Sequence, residues 1–282
     1  MKIVYTCFEI SSRCNMNCEF CFSDWRINRE QISTQKAKHV IDVLIDNGLK
    51  AINLTGGDPL VRDDIIEIIK YCKDKGLMTI ISTNGILLPQ KEDVLNYIDA
   101  INLPLDSFDP MIHNKMRPCA LENHHEHVLK LVDYISSKYP KVKIKINTMV
   151  GKENINDIPN MFTLMNSKIL SWKLGKFFAS GYGKDYRKRF EVDKDAYEIL
   201  MKKVKENYKN SIIVEEDFEI ENDYDVFVDG NGNLCEVTEN GVIDRGSIDN
   251  LSKLKTKSGN DDGLWGEYLK EVYNYEVKEN ES

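Results

Sequence analysis

Three cysteines lie close together near the N-terminus, at Cys14, Cys18 and Cys21. With the spacing C-x3-C-x2-C, their thiolates can hold three irons of a [4Fe-4S] cluster, whereas electron carriers usually bind all four irons through cysteine. The fourth iron would be open to the amino and carboxylate groups of a chelating ligand. The other four cysteines are scattered along the chain: Cys7, Cys72, Cys119 and Cys235. This distribution indicates a metal site and not a disulfide framework.

A three-cysteine zinc site is the alternative for the same residues. Structural zinc is tetrahedral, and its ligands usually include C-x2-C pairs and often histidine. No histidine lies near the loop from Cys14 to Cys21. The spacing therefore favours the iron–sulfur cluster over zinc.

The segment Gly56-Gly57-Asp58-Pro59 follows the second apolar run of the chain. Glycine lets the backbone approach a ligand closely and leaves carbonyl groups free to accept hydrogen bonds from an ammonium group. An ordinary turn between a strand and a helix is the alternative. This segment is therefore a candidate binding site for the ligand of the open iron.

Polar residues also follow the next two apolar runs, at Ser82 and Asn84 and at Asp106 and Ser107. In α/β proteins, ligands collect at the carboxyl ends of parallel strands. Hydroxyl, amide and carboxylate groups at these ends can bind ribose or other polar ligand groups. The alternative is that they only form turns or satisfy the strand ends.

Two lysines and one asparagine are the candidate catalytic residues. Lys145 and Asn147 are two positions apart in a predicted strand, so their side chains lie on one face. Lys173 lies in the next predicted strand, and a basic stretch follows it at Lys184–Arg189. An anionic substrate group could dock there, while a solvated surface is the alternative.

Short apolar runs alternate with longer amphipathic stretches up to about residue 210, which predicts an α/β fold. We expect strands at Cys7–Ser11, Ala51–Leu54, Met78–Ser82, Ala100–Leu105, Lys143–Met149 and Leu170–Phe178. We expect helices that begin near Thr34, Asp63, Gln90, Asn123 and Ile155. Six strand–helix units are too few for a closed eightfold barrel, so we predict a partial (β/α)6 barrel.

The pattern changes beyond residue 210, so we predict one domain at residues 1–210 and a second region at residues 211–282. Short strands around the turn Gly230-Asn231-Gly232-Asn233 predict a small C-terminal β-hairpin appendage. A polar linker at residues 252–263 and a short helix around Trp265–Tyr273 follow it.

The chain has 46 acidic and 38 basic residues, which gives a formal net charge of -8. This charge argues against broad nucleic-acid binding and against an anionic membrane as a partner. The chain has no apolar run of about 18 residues, and no signal-type segment comes before the first predicted strand. We therefore expect a cytoplasmic protein.

The segment His124-His125-Glu126-His127 follows Asn123, which can cap a helix. Residues three apart share a helix face, so a metal site is the alternative to consider. We expect these side chains to form an exposed first turn without a metal.

The motif C-x3-C-x-aromatic-C, with Phe20 before its last cysteine, resembles the motif of the radical S-adenosylmethionine (SAM) superfamily. The segment Gly56–Pro59 resembles the GGEP motif of that family, with aspartate in place of glutamate. The resemblance covers roughly residues 5–180. It implies SAM contacts at these residues: Phe20, Gly56, Gly57, Asp58, Pro59, Ser82, Asn84, Asp106 and Ser107.

The same resemblance implies the chemistry. In this family a reduced [4Fe-4S] cluster cleaves SAM to a 5'-deoxyadenosyl radical, which abstracts hydrogen from the substrate. A flavodoxin- or ferredoxin-type protein would supply the electron. The hairpin with Cys235 resembles the SPASM and twitch appendages that ligate auxiliary clusters, but one cysteine cannot hold a second cubane, so we expect a single cluster.

Four segments resemble those of viperin-like nucleotide enzymes in their order along the chain: Cys21-Phe22, Asp106–Asp109, Lys145–Asn147 and Trp172-Lys173. The resemblance favours a nucleoside triphosphate as the substrate. The chain departs from that family at Ser171, where the family has arginine, and at Met116–Cys119, where it has a Gly- and Lys-rich segment. The alternatives are the modification of a small precursor peptide, by a thioether, a C–C crosslink or epimerisation, and a non-catalytic iron–sulfur scaffold.

Overall fold

The computed structural model describes residues 3–23, 31–207, 213–216, 226–238 and 241–253, together with residues 267, 269–271 and 273. The predicted polar linker at residues 252–263 lies outside these residues except for its first two positions. Where the predicted helix around Trp265–Tyr273 is described, its residues are helical. In the described part of the chain, no helix is long and apolar enough to cross a membrane.

Besides these C-terminal helical residues, the described part of the chain contains six α-helices: α1 (Thr34–Asp46), α2 (Ile65–Asp74), α3 (Pro110–Met116), α4 (His124–Lys138), α5 (Arg187–Phe190) and α6 (Lys194–Asn207). The side chain of Ser33 caps α1 by accepting a hydrogen bond from the Lys36 backbone N–H at 3.2 Å. The side chain of Asn123 caps α4 by accepting a hydrogen bond from the Glu126 backbone N–H at 3.1 Å. The helices predicted near Thr34, Asp63 and Asn123 are therefore present.

The helices predicted near Gln90 and Ile155 are wrong. Short 3-10 turns lie there instead, at Leu88–Gln90, Glu92–Asn96 and Ile158–Thr163. Two of these turns have a proline in their first positions, and tight turns of this kind serve as short connectors. Each turn still buries apolar side chains against the core, so a full helix is not needed to cover the sheet.

Ten strands lie in the described residues: β1 (Tyr5–Ser11), β2 (Ala51–Gly56), β3 (Met78–Ser82), β4 (Ala100–Pro104), β5 (Lys143–Val150), β6 (Ser171–Lys176), β7 (Ile213–Glu216), β8 (Val226–Val228), β9 (Asn233–Thr238) and β10 (Gly241–Ser247). They form one sheet in the order β10-β9-β8-β1-β2-β3-β4-β5-β6-β7. Every pair from β8 through β1 to β7 is parallel, while β8–β9 and β9–β10 are antiparallel. The mostly parallel sheet with helices confirms the predicted α/β class.

The strands beyond residue 210 extend both edges of this sheet. β8 pairs with β1, and β8 to β10 form the predicted hairpin around residues 230–233. β7 lies at the other edge of the sheet, away from the hairpin, and there Ile213 pairs with Ser171 of β6. Helix α6 connects β6 to β7, so the strand–helix alternation continues for one more unit. The division into residues 1–210 and 211–282 stays a prediction.

The outer face of the sheet carries the main hydrophobic core. Helices α1, α2 and α4 each bury one apolar stripe against it, for example through Val40, Ile68 and Val128, which are 0% exposed. Burying an aliphatic side chain of this size stabilises the fold by about 1.5–3 kcal/mol. Cys72 on α2 belongs to this core, where its side chain packs as a small hydrophobe.

The opposite face of the sheet, the inner face, carries a row of polar side chains: Cys7, Asn53, Ser82, Asn102 and Lys145. The Ser82 hydroxyl donates to Asn53 Oδ1 at 2.9 Å and accepts from Asn102 Nδ2 at 2.9 Å. The Asn53 amide donates to Cys7 Sγ at 3.4 Å. These contacts join four neighbouring strands across the inner face.

The C-terminal helical residues cover the amino ends of the strands on the inner face. Leu269 and Tyr273 are both 0% exposed and pack with Tyr5, Ala51 and Met78. Since the amino ends of β1 to β3 are covered, their carboxyl ends and the inner face of β5 and β6 remain as places for a site.

Candidate functional site

The three motif cysteines lie in the loop that follows β1. The Cys21 backbone N–H donates to the Cys18 carbonyl at 3.2 Å, which closes the loop. Burial raises the pKa of the Cys14 thiol to about 11 and that of the Cys18 thiol to about 12. Such buried thiols become thiolates only when a cation binds them, and iron would supply that charge. Three converging thiol-bearing residues on one short loop are a donor set that fits a [4Fe-4S] cluster.

The choice between zinc and a cluster depends on the arrangement of the donors in the described part of the chain. No group of three or more His, Cys, Asp and Glu side chains there is arranged to hold one metal ion. A tetrahedral zinc site needs its ligands around a single ion, whereas each thiolate of a cubane binds a different iron.

Gly56 and Gly57 hold β2 directly against the cysteine loop. The Gly57 N–H donates to the Ser11 carbonyl at 2.7 Å, and the Asp58 N–H donates to the Arg13 carbonyl at 2.8 Å. A Cβ atom on Gly57 would lie 2.1 Å from the Arg13 carbonyl oxygen, and one on Gly56 would lie 2.2 Å from that of Ser11. Both positions therefore require glycine because two backbones meet there.

Asp58 is 1% exposed and ties the end of β2 to the end of β3. Its carboxylate accepts from the Leu60 N–H at 2.9 Å, the Thr83 hydroxyl at 2.8 Å and the Asn84 N–H at 2.7 Å. Burial raises the pKa of Asp58, and these hydrogen bonds partly oppose the shift. The side chain therefore acts within the protein, and Pro59 after it begins a 3-10 turn. A SAM contact at Asp58 or Pro59 stays a prediction.

Asn84 reaches the cysteine loop from the end of β3. Its Nδ2 donates to Asn15 Oδ1 at 2.6 Å and lies 3.8 Å from Cys14 Sγ. Its Oδ1 accepts from the Ile86 N–H at 3.0 Å. The hydroxyl of Ser82 lies further down the strand, in the inner-face row. The structure thus brings Asn84 next to the cysteines and leaves Ser82 bound to its neighbours on the sheet.

Asp106 lies after β4 and forms a buried ion pair with Arg117. Arg117 Nε donates to Asp106 Oδ2 at 2.5 Å, and its Nη2 donates to Oδ1 at 3.2 Å. The guanidinium also lies 4.9 Å from the centre of the Phe20 ring, beside the last two cysteines of the motif. Burial lowers the pKa of Arg117, but the Asp106 carboxylate outweighs it and leaves the pKa raised. Arg117 was not singled out from the sequence, where its only signal is its place at the end of the helix after β4.

Ser107 is fully buried, and its hydroxyl is bound to the Asp157 carboxylate. The same carboxylate accepts from the backbone N–H groups of Phe108 at 2.7 Å and Asp109 at 2.9 Å. Burial raises the pKa of Asp157, but these hydrogen bonds outweigh it and lower the pKa. Asp157 was not singled out from the sequence, and it fixes the turn that carries Asp106 and Ser107.

The three candidate catalytic residues lie together on the inner face of β5 and β6. Lys145 pairs in register with Ser171, and Asn147 pairs with Lys173. Lys145 is 3% exposed, and its Nζ lies 5.9 Å from the centre of the Tyr273 ring. The atoms Asn147 Oδ1 and Ser171 Oγ are buried and have no hydrogen-bond partner among the described residues. Because buried polar atoms are nearly always bonded, this pair marks a place for a ligand or for water.

Trp172 lies between Ser171 and Lys173 in the sequence of β6, and its side chain lies on the outer face of the sheet. Its Nε1–H donates to the Thr148 hydroxyl at 2.8 Å, and the side chain is 0% exposed. The tryptophan of the Trp172-Lys173 pair is therefore part of the core, and only Lys173 lies on the inner face.

The basic stretch after β6 lies near the cysteine loop. The Gly183 N–H donates to the Cys21 carbonyl at 3.0 Å. Arg187 pairs with Glu191 at 2.7 Å, and Arg189 pairs with Glu153 at 2.6 Å. The arginines of this stretch are thus partly neutralised by acidic neighbours.

The histidines at the start of α4 differ from the expectation. His124 is 0% exposed and His125 is 5% exposed, so the prediction of an exposed first turn is wrong for both. The helix begins under the ends of β3 and β4, and its first turn points into the protein.

The fold and the site define the class of the protein. The family model of the radical SAM superfamily matches residues 8–165, and the chain belongs to this family. Members of the family are enzymes that use a [4Fe-4S] cluster and SAM, which confirms the predicted class and cofactors. The compartment, the reductant and the individual SAM contacts stay predictions.

Several proteins of this family are similar to the chain. An AdoMet-dependent heme synthase of Methanosarcina barkeri (strain Fusaro / DSM 804) is 30% identical over 163 residues, which cover 56% of this chain and 45% of that protein. An S-adenosylmethionine-dependent nucleotide dehydratase of Selenomonas ruminantium is 28% identical over 160 residues, which cover 53% of this chain and 57% of that protein. The chain thus spans about half the length of the curated relatives it matches.

A solved structure resembles almost the whole chain. The crystal structure of Streptococcus suis SuiB bound to the precursor peptide SuiA has a TM-score of 0.68 and 16% sequence identity. The match covers 97% of this chain and 64% of that one. At this identity the likeness concerns the fold, including the strands beyond residue 210.

Proposed function

We propose that this chain is a radical SAM enzyme that acts on a nucleoside triphosphate. When bound, the cluster and SAM supply a radical that abstracts a hydrogen atom from the substrate. The observation that carries the proposal is the group of four polar side chains on the inner face of β5 and β6: Lys145, Asn147, Ser171 and Lys173.

The two lysines suit an anionic substrate. Lys145 and Lys173 lie on neighbouring strands and on the same face, and Lys173 lies two residues beyond the register partner of Lys145. A lysine ammonium group carries three donors, so it can bind a substrate oxygen in addition to the groups that it contacts within the protein. A phosphate chain is multiply charged and offers many acceptor oxygens to lysine.

The two unpartnered atoms suit the polar part of a nucleoside. Asn147 Oδ1 accepts hydrogen bonds only, so it would bind a hydroxyl or amino group. The Ser171 hydroxyl can donate and accept, so it would bind either kind of group. Sugar hydroxyls and base amino groups provide both. The similarity to the Selenomonas ruminantium nucleotide dehydratase supports the same substrate class.

The test is the stimulation of SAM cleavage by nucleotides. The anaerobically reconstituted protein would receive SAM, dithionite and one nucleoside triphosphate at a time, and 5'-deoxyadenosine would be measured by mass spectrometry. We expect one nucleotide to stimulate release strongly and to change its own mass. Slow cleavage that no nucleotide affects would overturn the proposal.

Variants connect this result to the inner face. Lys145→Met and Lys173→Met should each raise the KM for the nucleotide by about tenfold, because one charge-assisted hydrogen bond is lost. Lys141→Met is the matched control, since this lysine is exposed and precedes β5. Equal effects of all three substitutions would contradict a role for the inner-face lysines.

The modification of a small peptide is the second candidate function. In the described residues β10 is an edge strand of the sheet, and it exposes Val242 by 36% and Ile243 by 40%. An extended peptide can add to such an edge as a further strand. If no nucleotide changes SAM cleavage, candidate peptides would be tested in the same assay, and a mass change in the peptide would support this function.

A further inference from the structure

Two buried histidines connect the end of β3 to the end of β4. The Asp106 backbone N–H donates to His113 Nδ1 at 3.1 Å. His113 Nε2 lies 2.8 Å from His124 Nδ1, and His124 Nε2 lies 2.8 Å from the Asn84 carbonyl oxygen. Both rings are 0% exposed and stack with their centres 5.1 Å apart. These contacts form one chain of hydrogen bonds, the histidine relay, from Asp106 to Asn84.

The direction of each hydrogen bond in the relay follows from its two ends. A backbone N–H can only donate, so His113 Nδ1 accepts and the His113 proton is on Nε2. This proton is donated to His124 Nδ1, so the His124 proton is also on Nε2, where it is donated to the Asn84 carbonyl. Every link then has one donor and one acceptor, and both rings are neutral.

The surroundings favour these neutral rings. Burial lowers the pKa of His113 and lowers that of His124 to about 4, and the nearby Arg117 charge acts in the same direction for both. A second proton on either ring would also place two donors opposite each other. The relay is thus complete only with both histidines uncharged.

The relay lies beyond the last backbone hydrogen bonds between β3 and β4, where the sheet no longer connects the segments that follow these two strands. The register of β3 and β4 ends at Ser82 and Asn102, and the Thr83 N–H makes one further bond to the Asn102 carbonyl. Asn84 and Asp106 lie beyond this point. The histidine relay therefore replaces the missing backbone bonds between them.

His125 and His127 lie with His124 in the first turn of α4, and they bind the residues that follow Asp106 and Asn84. His127 Nε2 lies 3.0 Å from the Gly85 carbonyl oxygen, and His125 Nε2 lies 3.1 Å from that of Ser107. The first turn of α4 thus contacts the backbone of both segments at consecutive positions. It acts as a rigid support under them.

We propose that His113 and His124 are positioning residues for SAM. They fix the backbone of Asn84, whose side chain reaches the cysteine loop, relative to that of Asp106, whose carboxylate binds Arg117. The inference rests on the proposed SAM contacts of Asn84 and Asp106, but not on the identity of the substrate. Loss of the histidine relay would weaken SAM binding while the three cysteines still hold the cluster.

The experiment compares two substitutions at one position. His124→Leu removes both hydrogen bonds of the ring, whereas in His124→Gln the side-chain amide can still donate to the Asn84 carbonyl. In the reconstituted protein without any substrate, we expect His124→Leu to raise the dissociation constant for SAM by about tenfold and His124→Gln to raise it by about threefold. Iron content and the EPR signal of the reduced cluster without SAM should be unchanged in both.

Val128→Ala is the control for a purely structural effect. Val128 is buried on the same helix, and its truncation leaves a cavity while every hydrogen bond of the relay keeps its donor and its acceptor. If Val128→Ala weakens SAM binding as much as His124→Leu at equal loss of stability, or if His124→Leu binds SAM normally, the proposal is overturned. If His124→Leu does not fold, the comparison of His124→Gln with Val128→Ala decides in the same way.

A second measurement needs neither SAM nor substrate. In protein with 15N-labelled histidine, the ring signals of His113 and His124 should show two neutral rings that both carry the proton on Nε2. A proton on Nδ1 of either ring would contradict the relay. A failure of the nucleotide assay would leave both tests unaffected, so the two proposals can fail independently.

Discussion

The two sides of the site differ in how their polar groups are satisfied. On the β1–β4 side, the Asp58 carboxylate accepts three hydrogen bonds from protein groups, and the Asn84 amide is bonded at both of its polar atoms. On the inner face of β5 and β6, Asn147 Oδ1 and Ser171 Oγ are buried without a partner in the described residues. The first side forms a frame of satisfied polar groups, whereas the second has two buried polar atoms that the described residues leave unsatisfied.

The largest expected effect concerns the cysteines of the frame. Replacing Cys14, Cys18 or Cys21 by Ala should abolish the absorption and EPR signals of the [4Fe-4S] cluster, because each thiolate would bind a different iron and the cluster would lose one of its three protein ligands. Cys235→Ala is the control and should retain about four irons per chain. Loss of iron in the Cys235 variant would show that the hairpin also holds metal.

The second effect concerns the contact between β2 and the cysteine loop. Gly57→Ala would place a Cβ atom 2.1 Å from the Arg13 carbonyl oxygen, so one of the two backbones must move. We expect the free energy of unfolding to fall by more than about 3 kcal/mol and the iron content to fall with it. Denaturant titration and iron analysis would measure both.

Gly76→Ala is the control for this prediction. Gly76 has a φ of 78°, but a Cβ atom there would have nothing within 4 Å. Its loss of stability should be about 1 kcal/mol, with normal iron content. Similar losses in the two variants would mean that the frame does not depend on this backbone contact.

The third effect is the pH dependence of the free energy of unfolding that comes from His124, in the first turn of α4 below the frame. His124 has its pKa lowered from 6.5 to about 4 by burial, so the unfolded chain binds more protons than the folded chain between these values. Stability is therefore complete above about pH 6.5 and is lost as the pH falls toward 4. Between pH 7.5 and 5.5 we expect a loss of about 1 kcal/mol from this ring.

His124→Gln tests the origin of this loss. Glutamine does not titrate, so denaturant midpoints of the variant should change less between pH 7.5 and 5.5 than those of the parent. An unchanged pH dependence would assign the loss to other groups. His113 also has its pKa lowered by burial and contributes in the same direction, so the variant should keep part of the slope.

The signals in the sequence that predict the frame are local. The cysteine spacing, the paired glycines and the cap at Asn123 each depend on a few neighbouring residues. The order of strands and helices followed from apolar periodicity, which reports burial directly. The helices predicted near Gln90 and Ile155 failed because short connections can bury apolar residues in 3-10 turns.

The partners that complete the frame could not be predicted in the same way. Arg117, Asp157 and His113 act through contacts with residues 11, 50 and 11 positions away in sequence. Buried histidines also look like exposed ones in a sequence, because the residue is common in both places. Such contacts need the fold, since no local pattern marks them.

The smallest effect on stability is expected on the other side of the site, at Ser171. Its hydroxyl is buried without a partner in the described residues, so Ser171→Ala removes a polar group that the folded protein does not satisfy. The free energy of unfolding should change by less than about 0.5 kcal/mol or should rise. The KM of the stimulating nucleotide should increase severalfold, because the substrate loses a hydrogen bond.

Ser82→Ala is the matched comparison within the same sheet face. The Ser82 hydroxyl bonds both Asn53 and Asn102, so its removal leaves two buried amides short of a partner and should cost about 1–3 kcal/mol. Opposite results for the two serines, in stability and in KM, would establish that one side of the site is frame and the other is substrate surface. If Ser171→Ala destabilises the protein as much as Ser82→Ala and leaves the KM unchanged, the hydroxyl of Ser171 belongs to the frame as well. The distinction between the two sides would then rest on Asn147 and the lysines alone.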